Sequence, residues 1–231
     1  MVLLNAEKKK NENTRQYIYR VLKENIMNLN LAPGEMIGEI ELGKVLNVSR
    51  TPVREAIVKL SEEKLLNVFP QKGSFVSRIN LTLVEEAIFL REMCEEKLLE
   101  MACRDEHKED LIEKLEKNIE FQKVVINFKE NLHEFFILDN EFHSLIFDHY
   151  NKKNIWKSIK RLSTHYDRLR LLDALEKTNL EKTLKQHIEI LNIIREGDSK
   201  SIDMLLTKHL LNFKDVIEKF MMKYPTYFCE K

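Results

Sequence analysis

Four side chains in the second half of this 231-residue sequence could share one chemistry. Asp139 and His143 stand four apart in FFILDNEFHSLIF, on one helical face with Phe136 and Ile146, and the apolar pattern turns that face inward. His187 lies among Leu184, Ile188 and Leu191, and His209 lies between Leu205 and Phe213, each on the apolar stripe of its own segment. An ionised carboxylate facing a core is costly unless it is paired or bound to a metal. One carboxylate and three imidazoles from three helices can hold a divalent cation and leave coordination positions for a small ligand. The same four can also form a hydrogen-bonded core cluster, and residue types alone leave both readings open.

A second set of groups suits a polyanion. In the run SRTPVREA, Arg50 and Arg54 are one helical turn apart at the amino end of a segment whose inward stripe is Val53, Ile57 and Leu60. A guanidinium offers a bidentate fork to guanine or phosphate, and the start of a recognition helix is where such forks meet base edges in the major groove. Lys72 and Gly73, at the tip of an expected hairpin, could reach the neighbouring DNA backbone or minor groove.

The elements that must position these groups fall into two parts. Residues 1–80 carry 13 Lys+Arg against 9 Asp+Glu, although the whole chain balances at 38 of each. Four of the five glycines and three of the four prolines lie in that part, and all seven histidines lie beyond it. A boundary near Asn80 follows, between a DNA-binding domain at 12–79 and a helical domain at 81–222. In the first, the spacing predicts helices over 14–29, about 39–46, and 50 to about 65, the last capped by Ser49 or Thr51 with Pro52 in its first turn. LNVF and SFVSR then form a hairpin around PQKG. Three helices and a hairpin make a winged helix-turn-helix. From Leu81 to Phe220 there is one glycine and no proline, so the second part is an antiparallel all-α bundle of about six helices, broken near 104–108, 127–130, 151–154, 175–179 and 197–199. The fold class is therefore mainly α, with a small β-hairpin wing.

No apolar run approaches the length that spans a bilayer, and the polar first segment does not suit a signal peptide, so the expected setting is cytoplasmic with no membrane partner. Cys94, Cys103 and Cys229 are odd in number and contain no CxxC, which argues against a disulfide framework or thiolate zinc site.

The segment LAPGEMIGEIELGKVLNVSRTPVREAIVKLSEEKLLNVFPQKGSFV resembles the DNA-binding domain of the GntR family of bacterial transcription regulators, through its PG turn, the LNVSRTPVREA run and the closing QKGSFV wing. The resemblance implies operator contacts from Ser49, Arg50, Thr51 and Arg54 and a wing contact from Lys72 and Gly73. Lys64 stands where many relatives have glycine, and Ile40 where some carry a basic contact residue. The helical part is similar to the FCD-type ligand-binding domain of the FadR branch, through DNEFH143, QH187IEIL and KH209LL. That similarity implies a divalent metal (Zn, Ni or Mn) on Asp139, His143, His187 and His209, and a small carboxylate effector. Arg91, in an RxxxE pattern, could neutralise the carboxylate or pair with a neighbouring glutamate, and His165 is a pocket candidate. His107, His133 and His149 receive no function. The expected protein is a homodimer on double-stranded operator DNA. A metal-dependent hydrolase is the rival reading, without an HExxH or nucleophile elbow to support it.

Overall fold

The computed structural model describes residues 3–4, 7–128 and 132–229, with Leu132 described in its backbone alone. The chain forms two compact units, one of residues 1–81 with 221–231 and one of residues 82–220.

In the first unit, α1 (Thr14–Met27) opens with a capping box, in which the Gln16 backbone N–H donates to Asn13 Oδ1 and the Asn13 N–H donates to Gln16 Oε1. It ends two residues earlier than its apolar spacing predicts, because Leu29 turns left-handed at φ 59°. α2 (Glu39–Val45) and α3 (Arg50–Glu62) follow, joined through Asn47 at φ 51°, a conformation asparagine tolerates better than most residues. Val53, Ala56, Ile57 and Leu60 bury one face of α3 in a core with Ile18, Val21, Leu22 and Ile26 of α1. That packing leaves the amino end of α3 at the surface. Ser49 occupies the N-cap position, but its side chain makes no capping hydrogen bond.

The expected hairpin is a three-stranded antiparallel sheet. β2 (Leu66–Phe69) pairs with β3 (Gly73–Val76), and a further strand, β1 (Met36–Ile37), pairs with the other edge of β3 in the order β1-β3-β2. β1 lies in LAPGEMI, which the sequence marks as a helix break. Two residues carry no period to read, and the strand exists because Gly34 N–H donates to Val76 O and Val76 N–H donates to Glu35 O across the fold.

α3 ends in a Schellman turn: Leu65 N–H donates to Leu60 O and Lys64 N–H donates to Ser61 O. Lys64 holds φ 60° there, the left-handed region that favours glycine. Relieving the left-handed strain outweighs the entropy that glycine adds to the unfolded chain, so Lys64→Gly is expected to stabilise the protein by about 0.5–1 kcal/mol. A thermal melt that moves downward for this variant would refute the strain argument.

The second unit is built of α4 (Leu81–Arg104), α5 (Glu109–Phe128), α6 (Leu132–His149), α7 (Lys153–Leu162), α8 (Thr164–Leu175), α9 (Leu180–Glu196), α10 (Ile202–Leu210) and α11 (Ile217–Lys223). α5 packs against α6 and α9, α6 against α7 and α8, and α9 against α10. The expected break at 127–130 falls partly outside the described residues. Two of the six expected helices are divided further. The segment 154–175 breaks at Ser163, whose Oγ donates back to Ile159 O, a bond that bends a helix without glycine or proline. The last segment is interrupted by a 3₁₀ turn at Asn212–Asp215. No described helix is long and apolar enough to cross a membrane.

Candidate metal centre and nucleic-acid interface

α6 places Asp139 and His143 one turn apart, α9 supplies His187 and α10 supplies His209, all buried. One donor atom from each lies within 4.8 Å of every other. His143 Nε2 is 3.1 Å from His209 Nε2 and 3.6 Å from Asp139 Oδ1, and His187 Nε2 is 3.2 Å from the same oxygen. Every Nδ1 faces outward onto an oxygen: His143 onto Glu95 Oε2 at 2.7 Å, His187 onto Gln122 Oε1 at 2.8 Å, and His209 onto Gln186 Oε1 at 3.1 Å. Such partners fix the tautomer, because an Nδ1 that donates outward leaves the Nε2 lone pair facing inward. Asp139 Oδ1 and His187 Nε2 are buried without a hydrogen bond of good geometry, and both face the common centre. A core cluster would pair them, so the donor set fits a divalent cation.

The electrostatics agree. Burial pushes the pKa of His187 and His209 well below the ordinary histidine value, reinforced by neighbouring imidazoles and by Arg91 and Arg170. Burial lowers His143 as well, against the pull of Glu95. Neutral imidazoles are the form that ligates. Burial opposes the Glu95 charge, yet Arg91 and His143 outweigh it and hold this carboxyl at about 2.

Arg91 lies inside the bundle with Nε 2.6 Å from Glu95 Oε1. Its neighbouring glutamate is thus the one that orients His143. His165 is buried with Nδ1 3.1 Å from Arg168 Nη2. Neither residue lines the cavity beside the four donors. That cavity, with room for about 40 Å³ of water, is bordered by Asp139, Arg170, Asp173, Asn179, Thr183 and His209. Arg170 reaches it from α8 and forms an ion pair with Asp139. Glu95, Gln122, Gln186 and Arg170 each contact one of the four donors, and residue spacing did not mark them as such. Glu95 was legible as the last residue of the RxxxE pattern and Gln186 as the neighbour of His187. Gln122 and Arg170 carry no local signal.

In the first unit, α3 presents Arg50, Thr51 and Arg54 to solvent. Both guanidiniums share Glu39 of α2, with Arg54 Nε at 2.8 Å and Arg50 Nη2 at 3.4 Å from its Oε2. The hydrogen bond from Arg54, more than any other contact, holds the Glu39 carboxyl below its usual range. The pair orients two arginines side by side while leaving them more than half exposed. Lys72 is exposed and Gly73 half-buried in the β2–β3 turn, where Pro70 precedes Gln71 at φ 63°, the signature of a type II turn. Ile40 is exposed and apolar, so α2 offers no cation there.

Comparison with known proteins bears on both sites. Residues 14–76 match the family of bacterial regulatory proteins called gntR, and residues 86–212 match the FCD domain. The HTH-type transcriptional repressor RspR of Escherichia coli (strain K12) is 31% identical over 216 residues, covering 94% of each chain. An uncharacterised HTH-type regulator of Streptomyces ambofaciens is 34% identical over 222 residues, covering 93% of this chain and 89% of the relative. Among solved structures, a GntR transcriptional regulator from Rhodococcus sp. RHA1 superimposes with a TM-score of 0.70 at 20% identity, covering 91% of this chain and 98% of that one. Escherichia coli McbR/YncC gives 0.70 at 18% identity, over 90% and 98% of the two chains. These structures support the fold.

Proposed function

We propose, from the premise that this chain belongs to the GntR family of bacterial regulatory proteins and carries an FCD domain, that it is a metal-dependent, ligand-responsive transcriptional repressor. Its family makes it a transcription regulator rather than an enzyme, with a DNA-binding and a ligand-binding domain. The repressor assignment follows the name of the Escherichia coli relative. Residues 12–79 serve as the operator-reading domain and 81–222 as the effector domain. Ser49, Arg50, Thr51 and Arg54 contact the major groove, and Lys72 and Gly73 contact the flanking backbone. Two copies read a two-fold operator, because one winged helix makes few contacts for tight specific binding.

The observation that carries the effector half is the convergence of one donor atom from each of Asp139, His143, His187 and His209 within 4.8 Å of one another, while each Nδ1 is held from outside. Asp139, His143, His187 and His209 hold the metal, which when bound supplies a Lewis-acidic anchor for a carboxylate. Arg170 lies where it can bind and orient that carboxylate, exchanging part of its pairing with Asp139 for the incoming anion. Arg91 acts one step back, by fixing Glu95 against His143. The cavity accommodates only a few water molecules, so the effector is small or its entry displaces the lining.

The test titrates operator DNA with the metal-loaded protein against a panel of small carboxylates, beside the same protein treated with EDTA. One carboxylate is expected to change operator affinity by about 5–150-fold, with operator changing effector affinity by the same factor in calorimetry. A protein that stays metal-free after reconstitution would make the cluster purely structural. A response unaltered by EDTA would place the effector elsewhere.

A further inference from the structure

The chain crosses between its two units twice, once after Leu81 and again at Met221. After the second crossing, residues 224–229 become part of the first unit's backbone network. Ile79 N–H donates to Tyr227 O at 2.7 Å, Cys229 N–H donates to Ile79 O at 3.0 Å, and Ile79 and Phe228 form a parallel bridge. Phe228 is 3% exposed, and Ile79 is fully buried. Gly34, at φ 87°, is packed so closely that a Cβ there would lie 3.3 Å from Thr226 O. Gly34 N–H in turn donates to Val76 O at the end of β3. The returning segment therefore rests against one end of the wing sheet, where the turn that enters β1 meets the residues that leave β3.

On the other side of the second crossing, the chain comes directly from the candidate metal centre. His209 on α10 is followed by Phe213, Val216 and Phe220, each buried. A short stretch of α11 separates the last of these anchors from the segment that reaches Phe228.

We infer that residues 224–229 are a positioning strap for the wing, held by Phe228, and that this strap is the route by which the state of the His209 site reaches the DNA-reading unit. The second half of the inference rests on the function proposed above; the first half does not. A single linker at 78–83 would leave the first unit free to swivel about one point. The Ile79–Phe228 bridge, within the first unit, joins the chain just before the first crossing to the chain that returns after the second. A displacement of α10 then pulls on the wing through α11, a contiguous physical connection of the kind that coupling requires.

Two variants of the full chain test it. Phe228→Ala is expected to weaken operator binding by about fivefold or more, and Phe228→Leu to restore it, because an apolar anchor of similar reach still fills the site. Operator affinity of Phe228→Ala equal to that of wild type would overturn the positioning role, whatever the metal content. In the second variant, a short Gly/Ser spacer between Lys223 and Tyr224 leaves Phe228 seated but slackens the strap. Its metal content and melting temperature should match wild type, while the change in operator affinity on EDTA treatment collapses from about 5–150-fold to within about twofold. If the slackened protein keeps the wild-type response, or metal-loaded wild type shows no response, transmission through the strap is refuted. Wild type that takes up no metal refutes both the transmission and the metal reading, whereas the Phe228 arm still decides the anchor.

Discussion

His187→Ala is expected to purify without stoichiometric metal and to gain no thermal stability from added Zn, Ni or Mn, whereas wild type holds one ion per chain and loses stability in EDTA. His187 is the most completely buried of the four donors, and its Nε2 has no hydrogen bond of good geometry although Asp139 Oδ1 stands 3.2 Å away. Ring orientation is fixed by Gln122 on one side and by stacking on Phe142 at 4.2 Å between ring centres. Deleting it removes a preorganised ligand and strands the Gln122 carbonyl. For wild type, metal at a thousand times its dissociation constant adds about 4 kcal/mol of stability, and the variant should forfeit nearly all of it.

The pH dependence of the apoprotein gives an independent reading. His143, His187 and His209 have folded pKa values lowered by burial, so between the unfolded value of about 6.5 and their folded values the unfolded chain binds protons that the folded chain refuses. Stability is unaffected by these groups above that window and falls as pH drops through it, by about 1.4 kcal/mol per pH unit for each histidine still neutral when folded. His187→Ala should show a shallower loss between neutral and mildly acidic pH than wild type, one proton fewer in slope. Equal slopes would mean that His187 protonates in the folded protein, which is incompatible with a buried ligand.

The second large effect concerns DNA. Arg54→Ala should lose about 1–3 kcal/mol of specific operator binding, and Arg54→Lys most of the same, since an ammonium lacks the fork that two acceptors on guanine or phosphate require. Folding should scarcely change, because the Arg54–Glu39 pair is exposed and such pairs contribute at most about 1 kcal/mol. The loss has a second source. Once Arg54 is gone, Glu39 faces the DNA with only Arg50, more distant at 3.4 Å, to neutralise it. Arg54→Ala combined with Glu39→Gln should therefore bind operator better than Arg54→Ala alone. Gel-shift titration with operator and with unrelated DNA at one salt concentration separates the cases. An unchanged ratio of specific to non-specific affinity in Arg54→Ala removes Arg54 from base readout. Additive effects of Arg54→Ala and Glu39→Gln dissolve the proposed link between them.

Much of this protein was legible before any coordinate, where the causes are local. The Val53, Ile57, Leu60 stripe sets the inward face of α3 and leaves Arg50 and Arg54 outside, and the i, i+4 spacing puts Asp139 and His143 on one face of α6. Lys64 in place of glycine pointed only to a changed turn, and the left-handed φ of 60° came with the structure. What the tertiary structure alone decided are the pairings between residues distant in sequence. Gln122 meets His187 across 65 positions, and Thr207 meets Glu92 across 115. Each depends on which helices pack together and at what depth, which no single segment encodes. The division of the helical part at Ser163 belongs to the same class, since serine carries no fixed backbone signal and bends the chain only when its hydroxyl finds the Ile159 carbonyl. The role of Arg91 changed for this reason too: sequence could name a guanidinium and a glutamate four residues apart, but only packing shows that Glu95 spends its other oxygen on His143. Hydrophobic periodicity and turn chemistry act over one or two turns of chain, so they determine elements and faces. The hydrogen bonds that tune a buried site act across the fold, and their partners exist only once it has closed.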